Sequence, residues 1–129
     1  MGEPLIFINT YQLKPGHLED YRSAAPEWFA WNEAGHPRLL HHEVYIDEDS
    51  REVTNVQVHP DAASMEQQMQ LIGDVHAKWQ EHIDWSTMGI LVCGSPTQAL
   101  LEGMRQIAGS GVPVTIKTRL DGFSRLPSV

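Results

Sequence analysis

Apolar positions change their period along this chain, and each change marks an element. Leu5 to Leu13 reads LIFINTYQL, rich in Ile, Phe, Thr and Tyr, and Lys14-Pro15-Gly16 closes it, which predicts a first strand. The period then lengthens. Leu18, Tyr21, Ala25, Trp28 and Trp31 recur at helical spacing and predict a helix from His17 to about Glu33. Pro26 inside it predicts a kink or a second start, because proline lacks the amide donor and crowds the preceding turn. After Gly35-His36-Pro37, the segments Leu39–Ile46 and Arg51–His59 predict two strands. The acidic turn Asp47-Glu48-Asp49-Ser50 between them is short enough for a hairpin.

Pro60-Asp61 ends the third strand, and a second helix is predicted from Ser64, where Ser64 and Gln67 form a capping-box pattern. Its apolar stripe is Met65, Met69, Ile72, Trp79 and Ile83, with His76 on the same face. Gly73-Asp74 interrupts the stripe, and Asp74 could recap a second half. Trp85 to Cys93 holds a fourth strand. Ser95-Pro96-Thr97-Gln98 predicts the start of a third helix running to Ala108, with Pro in its first turn. Val112–Leu120 predicts a last strand, followed by coil from Asp121.

The order is βαββαβ followed by αβ, an α+β class: a ferredoxin-like antiparallel sheet with helices on one face and a C-terminal αβ extension. At 129 residues, a single domain over 1–129 is expected, with a core at 5–93 and the extension at 95–120. Phe7, Tyr11 and Tyr45 are assigned to the face without helices. A contiguous apolar face left in water is unfavourable, so a homodimer joined through that sheet face is expected.

Charge narrows the partners. A net charge of -8 argues against nucleic acid and against an anionic membrane surface, both of which need a basic stripe. No apolar run approaches the roughly 20 residues of a spanning helix, and the first residues lack a basic leader segment. The one cysteine, Cys93, can form no internal disulfide and is expected to be a buried structural thiol. The expected setting is cytoplasmic.

Candidate chemistry follows from polar groups on inward faces. His76 sits on an apolar helix stripe, where an imidazole can titrate near neutrality and act as base; the competing reading is a core histidine with one backbone partner. Asn9 lies between Phe7 and Tyr11 on one strand face, and a buried amide needs partners, from a ligand or from a neighbouring strand. Trp28, Trp31, Trp79 and Trp85 are four large rings for so small a chain. Trp28 and Trp79 fall on inner faces and could hold a flat ring, against the alternative of plain core packing; Tyr21 shares the face of Trp28 and could donate a hydrogen bond. His41 and His42 point to opposite strand faces, and no HxxxH or HExxH spacing occurs, so no metal site is expected. His41, Glu43, Asn55 and Gln57 are assigned to the dimer interface or solvent. Nucleotide and hydrolase motifs are absent, with no GxGxxG, P-loop or GxSxG.

Three stretches carry a family resemblance: the Lys14-Pro15-Gly16 turn before an amphipathic helix, the strand Asn55-Val56-Gln57-Val58-His59 running into Pro60-Asp61-Ala62, and the aromatic and histidine residues late in the second helix. On these, residues 5–93 resemble the antibiotic-biosynthesis-monooxygenase-like proteins of the dimeric α+β barrel superfamily. The resemblance implies a small oxygenase with no metal or organic cofactor, which deprotonates an electron-rich phenol, quinol or anthrone so that the anion can reduce O₂. His76 would then be the base, Asn9 would bind the developing oxyanion, and Trp28, Trp79 and Tyr21 would bind the substrate. A second branch of the superfamily binds and degrades haem with an Asn, a Trp and a His. Asn9 and His76 match that pattern, but the Trp position falls near Gln68 or Met69. A third possibility is a small-ligand-binding or structural dimer without turnover.

Overall fold

The computed structural model describes residues 3–70, 74–109 and 111–126, with the side chains of residues 74–76, 107 and 108 outside that description. Its elements are β1 (Leu5–Leu13), α1 (Leu18–Gly35), β2 (His41–Asp47), β3 (Glu52–His59), α2 (Ala62–Gln70), α3 (Asp74–Gln80), β4 (Ile83–Cys93), α4 (Gln98–Ala108) and β5 (Val114–Lys117). The sheet order is β2-β3-β1-β4-β5. The first four strands are antiparallel in the ferredoxin-like arrangement, and β5 adds parallel to β4. The sheet is therefore mixed rather than wholly antiparallel. The physical reason is the helix between β4 and β5: a crossover through α4 returns the chain to the same end before the next strand starts.

The register decides which side chains the helices cover. Phe7 pairs with Gln57, Asn9 with Asn55 and Tyr11 with Val53 across β1 and β3. Leu5, Phe7, Tyr11, Leu13, Val53, Asn55, Gln57 and His59 are all buried. Ile6, Ile8 and Thr10 alternate with them and are half-buried, as are Val56, Val58 and Leu91 beside them. Phe7 and Tyr11 therefore lie under the helices, not on the uncovered face. Asn55 and Gln57 are buried there too, not at an interface or in solvent. Strand side chains alternate with a period of two, so an error of one position inverts every assignment. The uncovered face is instead aliphatic, built on Ile6, Ile8, Val56, Val58 and Leu91, with Tyr45 exposed at its edge. Cys93 is half-buried on this same face, paired with Ile6, rather than a core thiol.

Local signals moved two helix starts. α2 begins at Ala62, because the Asp61 carboxylate accepts the Ser64 N–H at 2.9 Å and so takes the cap that Ser64 was expected to supply. α4 begins at Gln98, with Thr97 extended before it and its hydroxyl accepting the Leu100 N–H at 3.1 Å, so Ser95 is not the cap. The same Thr97 hydroxyl donates to the Glu66 carboxylate, tying α4 to α2. α1 continues through Pro26 as one helix. The expected interruption at Gly73 lies outside the described residues. Among the described residues, no helix is long and apolar enough to cross a membrane.

Two glycines fix close approaches. Gly94 leaves β4 at φ 128°, where a Cβ would stand 3.0 Å from the Pro4 carbonyl oxygen. Gly103 faces α2 so closely that a Cβ would meet the terminal methyl of Met69 at 3.0 Å.

Candidate functional site

Between the four helices and the sheet lies a cavity of about 120 Å³. Its floor is β1 and β3, presenting Phe7, Asn9, Tyr11, Asn55 and Gln57. Its walls are aromatic and thioether side chains: Trp28 and Trp31 from α1, Met65 and Met69 from α2, Trp79 from α3 and Met104 from α4. The rings form a ladder. Trp31 stacks on Trp28 at 5.4 Å between centroids, Trp28 on Trp79 at 5.5 Å, and Tyr21 lies 4.2 Å from Trp79. The Trp28 and Trp79 planes differ by only 12°, so the two rings stack face to face, with Trp31 on the other side of Trp28. No Asp, Glu, Lys or Arg is among the described lining residues.

The floor is polar, and most of its groups are held by one another. The Tyr11 and Tyr21 hydroxyls meet at 2.6 Å, and the Asn55 amide donates to the Tyr11 hydroxyl at 3.1 Å. Burial pushes both phenols up, for Tyr11 against the opposing pull of its hydrogen bonds, so neither is an anionic base at neutral pH. On α1, the Asn32 amide donates to the Trp28 carbonyl at 3.0 Å, and the Gln68 amide reaches Asn32 at 3.4 Å. Two amide oxygens are left over. Asn9 Oδ1 and Gln68 Oε1 are buried with no partner among the described groups. A buried acceptor without a donor costs about 1–3 kcal/mol, so these positions favour a ligand that brings donors.

A second polar chain runs along the inner side of β3 to β2. Ser64 Oγ lies 2.9 Å from His59 Nδ1, His59 Nε2 lies 3.1 Å from Gln57 Oε1, and Gln57 Nε2 lies 3.4 Å from His42 Nε2. His42 Nδ1 is buried and has no partner among the described residues. Burial first, then the neighbouring His36 ring, lowers His59 to about 4 despite the nearby Asp61 carboxylate. Burial first, then His59, His36 and His41, lowers His42 to about 4. Both rings are neutral at pH 7. His42 also borders a second cavity of about 280 Å³, beside the end of α1 and the approach to β2, which shares Asn32 and His42 with the first. His36 lines that cavity, with both ring nitrogens buried and without a hydrogen-bond partner among the described residues, and its pKa lowered by burial.

Of the candidate site residues, Asn9, Trp28 and Trp79 line the first cavity. Tyr21 stands behind the wall, with its hydroxyl engaged by Tyr11. The side chain of His76, on α3, lies outside the described residues. Sequence reasoning missed His42, His59, Gln57, Asn55 and Tyr11 as cavity-side groups. The available signal was β2, where His42, Val44 and Ile46 share a parity that pairs with Gln57, Asn55 and Val53.

No family model matches the chain, and no curated protein matches it in sequence. Solved structures do match in shape. MupZ from Pseudomonas fluorescens is similar over 99% of this chain and 98% of its own, with a TM-score of 0.72 and 16% identity. SnoaB from Streptomyces nogalater, described as a cofactor-independent oxygenase, matches with a TM-score of 0.57 and 15% identity over 75% of this chain and 97% of its own. A putative antibiotic biosynthesis monooxygenase from Bacteroides thetaiotaomicron matches with a TM-score of 0.55 and 14% identity over 68% of this chain and 85% of its own. The chain therefore has the ferredoxin-like α+β fold of the antibiotic-biosynthesis-monooxygenase-like proteins. The MupZ match, at 99% of this chain, takes in the αβ extension as well.

Proposed function

We propose that the chain is an enzyme that removes a proton from a small, uncharged aromatic or polyketide-like molecule, as a cofactor-independent monooxygenase or a related enolising enzyme. One observation carries this reading: a helix–sheet cavity bordered by the stacked Trp28 and Trp79 rings and holding, on its sheet floor, the amide oxygen of Asn9 with no partner among the described groups. A flat ring seats beside the aromatic stack, against its edges, and a ligand hydroxyl satisfies Asn9. In the oxygenase form, the base takes one proton from an anthrone methylene. The anion passes an electron to O₂ and recombines with the superoxide. The resulting hydroperoxide eliminates water, so CH₂ and O₂ become C=O and H₂O. His76 is the proposed base. The enzyme is a homodimer in this reading, its copies joined through the aliphatic sheet face of Ile6, Ile8, Val56, Val58 and Leu91.

Oxygen uptake with 1,8-dihydroxyanthrone tests the chemistry, and one O₂ consumed per anthrone is the expected result. Replacing the base in His76→Ala should slow uptake by about 10²-fold or more. No uptake above the uncatalysed rate, or an undiminished rate in the variant, overturns the mechanism. A binding protein without turnover is the second reading, and one observation favours it: Tyr11 and His42, the described titratable groups of the cavity wall, are both held in their neutral forms.

A further inference from the structure

The chain of hydrogen bonds from Ser64 to His42 has a direction. Gln57 can donate only from its amide nitrogen, and that nitrogen faces His42 Nε2. A neutral His42 must then accept at Nε2 and carry its proton on Nδ1. Working back, Gln57 Oε1 accepts the His59 Nε2 proton, which leaves His59 Nδ1 to accept from the Ser64 hydroxyl. Each group donates to the next, and the series ends at one buried N–H, His42 Nδ1, which has no acceptor among the described residues. That N–H belongs to one of the two residues, His42 and Asn32, that the cavities share.

We infer that His42 is the group that receives a ligand's carbonyl oxygen, and that the ligand is an uncharged molecule bearing both a carbonyl and a hydroxyl. The inference rests on the cavity being the substrate site, as proposed above. The unpartnered groups are complementary: His42 Nδ1 offers a proton, while Asn9 Oδ1 and Gln68 Oε1 each need one. A carboxylate or phosphate would meet two amide oxygens of like polarity and no described cation in the first cavity. An ammonium would find no described carboxylate there. A hydroxyketone satisfies both kinds of group. During proton removal next to the carbonyl, negative charge moves onto that oxygen, and a neutral imidazole stabilises it by hydrogen bonding without giving up its proton. Gln57, His59 and Ser64 act through His42 as positioning residues, fixing which nitrogen bears hydrogen. His36, His41 and His59 are the titratable groups that bear on the His42 ring, with Phe29 packed on it at 4.6 Å.

Three bicyclic probes of one size separate the contributions: 2-naphthol with only a hydroxyl, 1-tetralone with only a carbonyl, and 6-hydroxy-1-tetralone with both. Titration of the full chain should find the last binding about tenfold tighter than either of the others. His42→Phe should bring hydroxytetralone down to the level of naphthol while changing naphthol by less than about twofold. Gln57→Leu should weaken tetralone and hydroxytetralone alike, and nitrogen NMR should show a mixture of His42 tautomers in place of the single Nδ1–H form. If either variant fails to fold, the wild-type spectrum at pH 7 decides, since a His42 proton on Nε2 overturns the inference. Equal binding of the three probes, binding of none, or a carbonyl preference that survives His42→Phe also overturns it. Selective binding without oxygen uptake refutes the oxygenase reading and leaves His42 its role. Oxygen uptake with unselective binding does the reverse.

Discussion

The Tyr11 hydroxyl is held in the buried floor by the Tyr21 hydroxyl and the Asn55 amide. Removing it in Tyr11→Phe keeps the ring and the packing but takes a hydrogen-bond partner from the Asn55 amide and from the Tyr21 hydroxyl. The expected cost is about 2 kcal/mol, read as a lower urea midpoint with an unchanged slope. His59 gives a pH signature at the same scale. Its folded pKa of about 4 lies below the ordinary 6.5, so between those values the unfolded chain binds a proton that the folded chain refuses. Its contribution is complete above about pH 6.5 and is lost as pH falls toward 4. From pH 7 to pH 5 the loss is on the order of 2 kcal/mol, and urea titrations at both pH values in wild type and His59→Gln should show it shrink in the variant. Residue by residue, Trp28 and Trp79 were legible because each fills an inward stripe on its own helix; Asn9 stood out as a polar break, but its same-face neighbours Phe7 and Tyr11 were assigned to the bare face. His42 was not legible. Its relevance depends on Gln57 and His59, which reach it only through the register of β2 against β3.

Among the elements, β3 shows why sequence patterning misleads. Its aliphatic residues Val56 and Val58 face away from the helices, while Asn55, Gln57 and His59 face toward them. The ordinary rule of apolar inside and polar outside therefore assigns the strand upside down. Both faces of this strand are apolar or buried, one against helices and one with a flat aliphatic surface, so periodicity locates the strand but not its orientation. The helices were easier, since their starts depend on local caps. Thr97 holds the Leu100 amide and the Glu66 carboxylate at once. Thr97→Ala should cost about 1 kcal/mol in thermal or urea unfolding. Thr97→Ser should recover most of it.

At the scale of the whole molecule, the sheet has one face under helices and one bare. The bare face places Ile8, Val56 and Leu91 side by side on three adjacent strands. A charge at its centre should prevent two copies from pairing there without disturbing the helix side. Val56→Lys is expected to convert a dimer to a monomer in sedimentation at micromolar concentration, with its helical circular dichroism retained; a wild-type monomer, or a variant that remains dimeric, would remove the pairing from the reading. The global plan was legible because βαββαβ is written in changes of period. The parallel docking of β5 was not, because a short final strand carries no mark of its neighbour.

The contact between Gly103 and Met69 reaches further than its size suggests. Met69 is part of the cavity wall, and Gly103 is on the helix behind it. A single methyl added by Gly103→Ala would push the soft end of that thioether, and it can yield toward the empty space in front. The C-terminal segment would then act as an adjustable backstop, setting how bulky a guest the chamber admits from a position no guest touches. Such an exchange should favour the helix itself by up to about 1 kcal/mol while selecting against the larger ligands. Chain variants that differ only behind the wall could therefore diverge in substrate size with every lining residue unchanged.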